Sequence, residues 1–561
     1  MNPASRPVQY SATAKVNRLT QAVGLGLLMA SGLAPAATIT VINSNDAGAG
    51  SLRAAVIEAN GNGDPSNTIE FDPAVSSITL TSGQIDITKT LAIVAPPAGV
   101  TISGNLSSRI FGVRSNDADL TLENLTLIDG RTTAGFVAPS DCSASSGEGG
   151  AICARGDLTI VNSIISGNAT LGTSAEGGAA DVYGDLFVSE SQVIGNYTDG
   201  NYARGGAFAV FGSTVIDRSE LENNQTRGED ASGGALRTRG LGLITNSYFA
   251  GNRTLGDYSE GGAISADLQG LDIGNTFFWD NSCEGEWGEG SAVRVAGTLL
   301  VQNSAFANNR ITGPNSWGGA ITVRGDQVTI INSTLSGNTV TSTNNYDLGG
   351  AALVTTYADV DLYNVTITGN TSAVGAGAIQ MLNAAGTEVL LYSTVLAGNS
   401  GPFGNFYVEN ADPPSLVNAQ FSVFGDDPAE INGVNSNNIF TNAHGLGPFS
   451  SSGCAVPVGR TGSTLCAPVM QVNPGSPVID AGANPLGLAF DQRGSGFPRT
   501  QGLQTDIGAY ESEFFGQPSL PPAVAVPVFG AIGSGLLAML IGLFGLVGLR
   551  RVGRNRSHPG Q

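Results

Sequence analysis

Charged and aromatic residues return at a near-constant spacing behind a recurring Gly-Gly-Ala. The second and fourth positions past each alanine hold Asp181, Tyr183, Phe211, Arg237, Arg239 and Asp267, with Arg155, Arg294 and Arg324 in further copies. Side chains alternate along a strand, so if the apolar residue between each pair points into a core, these point outward. Arg239 and Asp267 hold the same place in consecutive copies, and stacked strands would bring them to about 5 Å, close enough to pair. A strip of this kind fits a solvated ladder of ion pairs first. It fits a sugar-binding face second, since rings stack on sugar faces and charged groups fix hydroxyls or carboxylates. It fits catalysis last, because acid–base chemistry requires paired acids or an activated base, and no reaction is assigned.

The remaining chemistry-bearing residues are sparser. Glu148, Glu176, Glu260 and Glu289 precede their glycines and offer calcium ligands if they stack, but they are not all in adjacent coils and a solvated turn is the favoured reading; no other cofactor is indicated. Asp426 and Asp427 are adjacent, and neighbours in a strand face opposite sides, so they read as a loop. His444 and His558 are the only histidines, which excludes a histidine triad or a zinc cluster. Asp491, Arg493, Arg499, Asp506 and Glu511 crowd a short C-terminal stretch and read as a hydrogen-bonded cap that satisfies a terminal coil.

The elements that position these residues follow from the repeat. Gly-Gly-Ala begins at Gly149, Gly177, Gly205, Gly233 and Gly261, 28 residues apart, and looser copies follow at Gly290, Gly318, Gly349 and Gly375. Each unit carries a second marker, an apolar residue with Asn three places on: Asn168, Asn196, Asn224, Asn252, Asn281, Asn309, Asn338, Asn370 and Asn399. Between the markers the apolar residues alternate, as in "LTIVNSII" and "VTIINSTL", broken by Gly, Asn, Asp and Ser. Helical repeats and leucine-rich spacing are absent, and 28 residues is too short for a propeller blade of about 40. Such a unit holds about three short strands, one circuit of an all-β parallel β-helix whose successive circuits lie about 4.8 Å apart. A coil cannot bury its own apolar face, but a stack shares one core. The recurring Asn is then placed to form an amide ladder.

The first 36 residues carry Arg6, Lys15 and Arg18, the run "AVGLGLLMASGLAPA" and small residues before a cleavage point after Ala36, the pattern of an export signal. "GSLRAAVIEAN" sets Leu52, Ala55, Val56 and Ala59 on one helical face behind the N-cap Ser51, a short helix suited to closing the first coil. The expected organisation is a cap and irregular coils over 37–130, regular repeats over 131–400, and irregular coils with a C-terminal cap over 401–512. A Pro-rich linker over 513–528, an apolar span over 529–549 and a basic tail over 550–561 complete it. The span holds 21 uncharged residues before Arg550, Arg551, Arg554 and Arg556, long enough to cross a bilayer with the arginines on the cytoplasmic side.

Between signal and span lie 18 basic against 46 acidic residues, a surface that repels nucleic acid. Cys142 and Cys153, like Cys454 and Cys466, lie near enough in sequence to pair, with Cys283 left over; the odd count leaves the pairing open.

The paired markers resemble the repeats of polymorphic outer membrane proteins, with Phe in place at Phe249, Phe278 and Phe306 and Ile, Val or Leu elsewhere. "TVINSNDAGAGSLRAAVIEAN" resembles the start of bacterial surface β-helix proteins with a C-S-L-R-E-A motif, here with Gly50 for Cys and Ala54 for Glu. "SPVIDAGANPLGLAFDQRGSGFPRTQGLQTDIGAYE" is similar to the C-terminal signature of choice-of-anchor Q proteins, and "VPVFG" with the span and Arg cluster resembles I-P-T-L-type sorting tags. These resemblances imply a right-handed, pectin-lyase-like β-helix at the cell envelope and a sorting protease for the tail; none implies a reaction. The expected function is adhesion or binding of a polysaccharide or a host or neighbour cell-surface component. A carbohydrate-active enzyme and a structural spacer are the alternatives.

Overall fold

A computed structural model describes residues 37–514, apart from 136–140, 144–146, 268, 343–348, 410–412, 426–429 and 452. The expected signal, apolar span, basic tail and His558, and with them Asp426 and Asp427, lie outside the described residues. Among the described residues no helix is long and apolar enough to cross a membrane.

The chain is a parallel β-solenoid. In a representative circuit Ile152–Ala154 lies in a first sheet, Leu158–Val161 in a second, Ile164–Ser166 in a third and Ala169–Thr170 in a fourth. The circuit thus has four strands where the sequence suggested about three, because two residues suffice after the Asn turn. Stacked circuits give sheets of 12, 15, 14 and 9 strands. Register sets like over like: Ile160, Val188, Ile216 and Ile244 form one inward file, all buried. In the third sheet Phe249, Phe278 and Phe306 stack with centroids 5.0 and 4.6 Å apart, an offset geometry that adds to their burial.

The corners carry the polar repeats. Asn196 Oδ1 accepts the backbone N–H and the Nδ2 of Asn168, both at 3.0 Å, while Asn196 Nδ2 donates to the Ile165 carbonyl at 2.9 Å. The same bonds repeat from Asn168 through Asn399, so each buried amide is satisfied by its neighbours. A second ladder, of Ser and Thr, turns the chain between the second and third sheets. The Ser191 N–H donates to Ser219 Oγ at 3.2 Å, and Ser191 Oγ donates to the Ser189 carbonyl. Each of these follows a left-handed residue such as Asn162, Glu190, Arg218 or Asn246. At Gly178 a Cβ would lie 2.2 Å from the Gly206 carbonyl oxygen of the next circuit, so the second glycine of the marker is set by backbone approach.

The helix Leu52–Gly61 buries Leu52, Ala55, Val56 and Ala59, and Ser51 Oγ accepts the Ala54 N–H. It closes the start of the core. The far end differs from the expected cap. Circuits continue to Asn435–Ser436 and Ile439–Phe440. The chain then reverses through the antiparallel pair Leu446–Ser450 and Val469–Val472 and runs back as a strap over the outer face of the third sheet. Val472, Val478 and Ile507 cover Val395 and Val423, Val458 and Ala467 cover Phe277, Ala305 and Ala307, and Arg460 reaches Glu190 and Asn162. The physical reason is written in "TFFWD" and "SAFAN", where the outward positions of the strand are apolar and require cover.

Candidate functional site

The three-residue strands of the first sheet bury their flanking residues, Ala180 and Val182 for example, in the core. The middle residue therefore faces away from it. Register aligns Cys153, Asp181, Ala209, Arg237, Ser265 and Arg294 in one file. This file is not solvent-facing as expected: Asp181 is 1% and Arg237 8% exposed. The turn before each Gly-Gly-Ala rises beside it, so Ser174, Glu176, Tyr202 and Arg204 form the opposite wall of a groove enclosing about 410 Å³ at Asp181. A second open stretch of groove, lined by Trp317, Arg324 and Tyr357, lies further along the solenoid.

The fourth-position residues line the other wall as a stack. Tyr183 and Phe211 lie parallel at 4.6 Å, the Arg239 guanidinium sits 3.8 Å over Phe211, and that of Arg155 lies 5.9 Å from the Tyr183 ring. Ring faces here are occupied by neighbouring rings and by cations.

The expected Arg239–Asp267 pair is not formed. Arg239, laid over Phe211, points back to Glu176 at 3.7 Å, and Asp267 is held by Arg237 at 2.7 Å. Further pairs join Arg204 to Asp230 at 2.9 Å, Arg294 to Glu260 at 2.9 Å, and Arg324 to Glu289. Glu260 and Glu289 do stack, through a parallel bridge. Their carboxylates meet arginines, and among the described residues no three ligating groups converge on a metal position. Burial first, and then Glu260, pushes Glu289 up to about 8, against Arg324 and Arg294.

One end of the groove is different. Asp181 is held well above the ordinary carboxylate range by burial, then by Glu176 and Glu148, against Arg109 and Arg239. Neither of its oxygens has a hydrogen-bond partner among the described residues. Burial also raises Glu176, opposed by Arg237, Arg239 and Arg204. Beneath them lies Arg109, brought down to about 10 by burial. It donates to the Glu148 and Gly149 carbonyls and to Gln84 Oε1.

The other expected residues are structural. His444 is half-buried and its Nδ1 accepts the Leu446 N–H. Arg493 pairs with Asp491 at 2.6 Å between Phe497 and Tyr510 at 4.2 and 3.9 Å. Arg499 donates to the Asp506 and Gly508 carbonyls, and Glu511 accepts the Gln501 and Asp506 N–H groups. This network ties the strap to itself, and Asn332, Thr334 and Thr366 bond it to the flank through Phe490, Gln492 and Ala509. Both local disulfides are formed, Cys142–Cys153 and Cys454–Cys466, and the buried Cys283 thiol is pushed up to about 12 by burial.

Sequence reasoning missed the rim. Tyr202, Tyr258 and Trp287, each three residues before a Gly-Gly or its variant, adopt φ of 60°, 55° and 61°. Tyr258 and Trp287 stack at 6.4 Å, and Tyr202 and Tyr258 are 49% and 54% exposed. The signal was their common offset from the glycine marker. No family model and no curated protein matches the chain.

Proposed function

We propose that this protein is an exported, envelope-anchored surface β-solenoid that binds an extracellular glycan along the groove of its first sheet without turning it over. The observation that carries this reading is the rim. The turn sets this position at positive φ whatever its residue, Ser174, Asp230 and Asn315 included, yet at Tyr202, Tyr258 and Trp287 it carries bulky aromatics, which that conformation disfavours. The turns put Tyr202 in the wall of the polar groove and Tyr258 and Trp287, stacked on each other, at the same place in later circuits, the combination of flat apolar surface and fixed charges that suits a sugar. The signal-like start, the apolar span with its basic tail and the resemblance to choice-of-anchor Q and polymorphic outer membrane repeats support export, right-handed coiling and processing by a sorting protease. Glycan-array binding by the exported body, lost in Tyr258→Ala/Trp287→Ala at unchanged thermal stability, is the expected result. A blank array would favour a spacer.

One observation favours a second reading, a polysaccharide-cleaving enzyme: Glu176 and Asp181 stay protonated further toward neutrality than ordinary carboxyls, as a general acid must. Reducing-sugar release by the protein, abolished in Asp181→Asn, would establish it.

A further inference from the structure

We infer that the end of the groove at Asp181, Glu176 and Tyr202 is a subsite for an ammonium group, so that the glycan it takes carries free amines. The inference rests on the glycan reading of the groove and names the ligand's charge. Along most of the groove each acid meets a close arginine: Asp267 meets Arg237 at 2.7 Å, Glu260 meets Arg294 at 2.9 Å, and Glu289 meets Arg324. At Asp181 the pattern stops. Its carboxyl is 1% exposed, lines the groove and accepts no hydrogen bond from any described residue. Glu176 leaves Oε2 without a partner; its ion-pair contact is a loose 3.7 Å to Arg239, with Arg237 and Arg204 acting on it from further off. Arg204, the other cation in this wall, is engaged by Asp230 at 2.9 Å. A buried carboxyl without a donor is costly to ionise, so in the free protein Asp181 holds its proton to higher pH than an ordinary carboxyl.

An ammonium group presents three donors and a full charge, which supplies what the pair lacks, and the exposed Tyr202 ring stands beside them as a cation-accepting face. Binding then exchanges one charge for another: the ammonium enters, Asp181 loses its proton, and that proton leaves to solvent. The groups facing Asp181 are two acids, Glu176 and Glu148, and two arginines, Arg109 and Arg239, so their charges offset and the site's preference rests on the unpartnered Asp181 and Glu176 oxygens. The 18 basic against 46 acidic residues between signal and span add long-range attraction of the same sign. A divalent metal is the poorer occupant, since no three ligating groups converge among the described residues. A lysine-bearing peptide is poorer too, because the strands beside the groove are paired on both sides within their sheet, leaving no edge for a main chain to join.

The test is calorimetry of the full exported body with four probes: a glucosamine oligomer, its N-acetylated counterpart, an acidic uronic oligomer and a lysine-rich peptide. The glucosamine oligomer is expected to bind roughly tenfold or more tightly than the N-acetylated one, the worth of one charged hydrogen bond. Titration in two buffers of different ionisation enthalpy should report proton release by the native protein and clearly less by Asp181→Asn, the remainder coming from Glu176. Glu176→Gln serves as a second variant if Asp181→Asn alters the unfolding temperature. Ring-dependent binding of the N-acetylated or uronic oligomer with equal or greater affinity overturns the ammonium subsite and leaves the glycan reading standing. Asp181-dependent capture of the peptide alone overturns the sugar as carrier, and no binding by any oligomer overturns both.

Discussion

Asn224 bonds to circuits on both sides. Its Oδ1 accepts the Asn196 N–H and Nδ2, its own N–H and Nδ2 donate to Asn252 Oδ1, and Nδ2 also reaches the Val193 carbonyl. Replacing it with Ala removes the acceptor of the Asn196 N–H and Nδ2 and the donor to the Val193 carbonyl and Asn252 Oδ1, and a buried group left unsatisfied costs about 1–3 kcal/mol. Asn224→Ala should therefore lower stability by about 3 kcal/mol or more, read from the urea midpoint, and an unchanged midpoint would remove the amide file from the account of stability. This file was legible because a lone Asn at fixed spacing has little reason to recur unless it is stacked. The Ser and Thr file was not, since Ser163, Ser191 and Ser219 sit among many other serines and threonines. The site was legible in its residues, not in its pairing. Asp181, Tyr183, Phe211, Arg237, Arg239 and Asp267 do line or neighbour one groove, but side-chain reach, not register, decided that Arg237 and not Arg239 holds Asp267.

At the scale of elements, the turn and the strap answer to different constraints. Gly228 faces the preceding turn so closely that a Cβ would lie 2.1 Å from the Gly200 carbonyl oxygen. Gly228→Ala must push two circuits apart, and reduced soluble yield or a thermal midpoint lowered by several degrees is expected; wild-type behaviour would show that the turn can yield. The strap is anchored at its far reach by Arg460, whose guanidinium donates to the Glu190 carbonyl and Asn162 Oδ1, both at 2.9 Å. Arg460→Ala should raise amide exchange over 454–466 while the circuits beneath stay protected, because local opening follows the loss of local contacts. Exchange that rises equally in the third sheet would mean that strap and solenoid open as one unit. The apolar outward residues of the third sheet announced that something covers it; that the cover is the chain's own C-terminal stretch was invisible, since the contact spans 298 residues of sequence.

For the whole molecule, buried acids set the response to pH. Asp181, Glu176, Asp506 and Glu511 are raised chiefly by burial, Glu511 up to about 7, as Glu289 is up to about 8. A raised acid contributes stability that is complete below its unfolded value and is lost as pH climbs through the folded one. Thermal stability should thus decline between the ordinary value of 4.5 and about 8, and Glu289→Gln should flatten part of that slope. A flat profile in the native protein would count against burial as the cause. On the acid side Asp46, raised by burial but brought down further by hydrogen bonds from Ser82, Arg53 and Thr81, contributes stability above its ordinary 3.8 and loses it as pH falls. By itself the sequence determined the solenoid, its repeat length and the helix that closes its start. A fixed spacing of apolar, glycine and asparagine positions has one economical way to bury itself, and stacking like on like is local in structure even when it is regular in sequence. Only the tertiary structure decided which acids are left without a cation, which aromatic rings stand open and which flank the returning chain occupies. Those outcomes depend on side-chain directions and on contacts between segments whose separation in sequence carries no period.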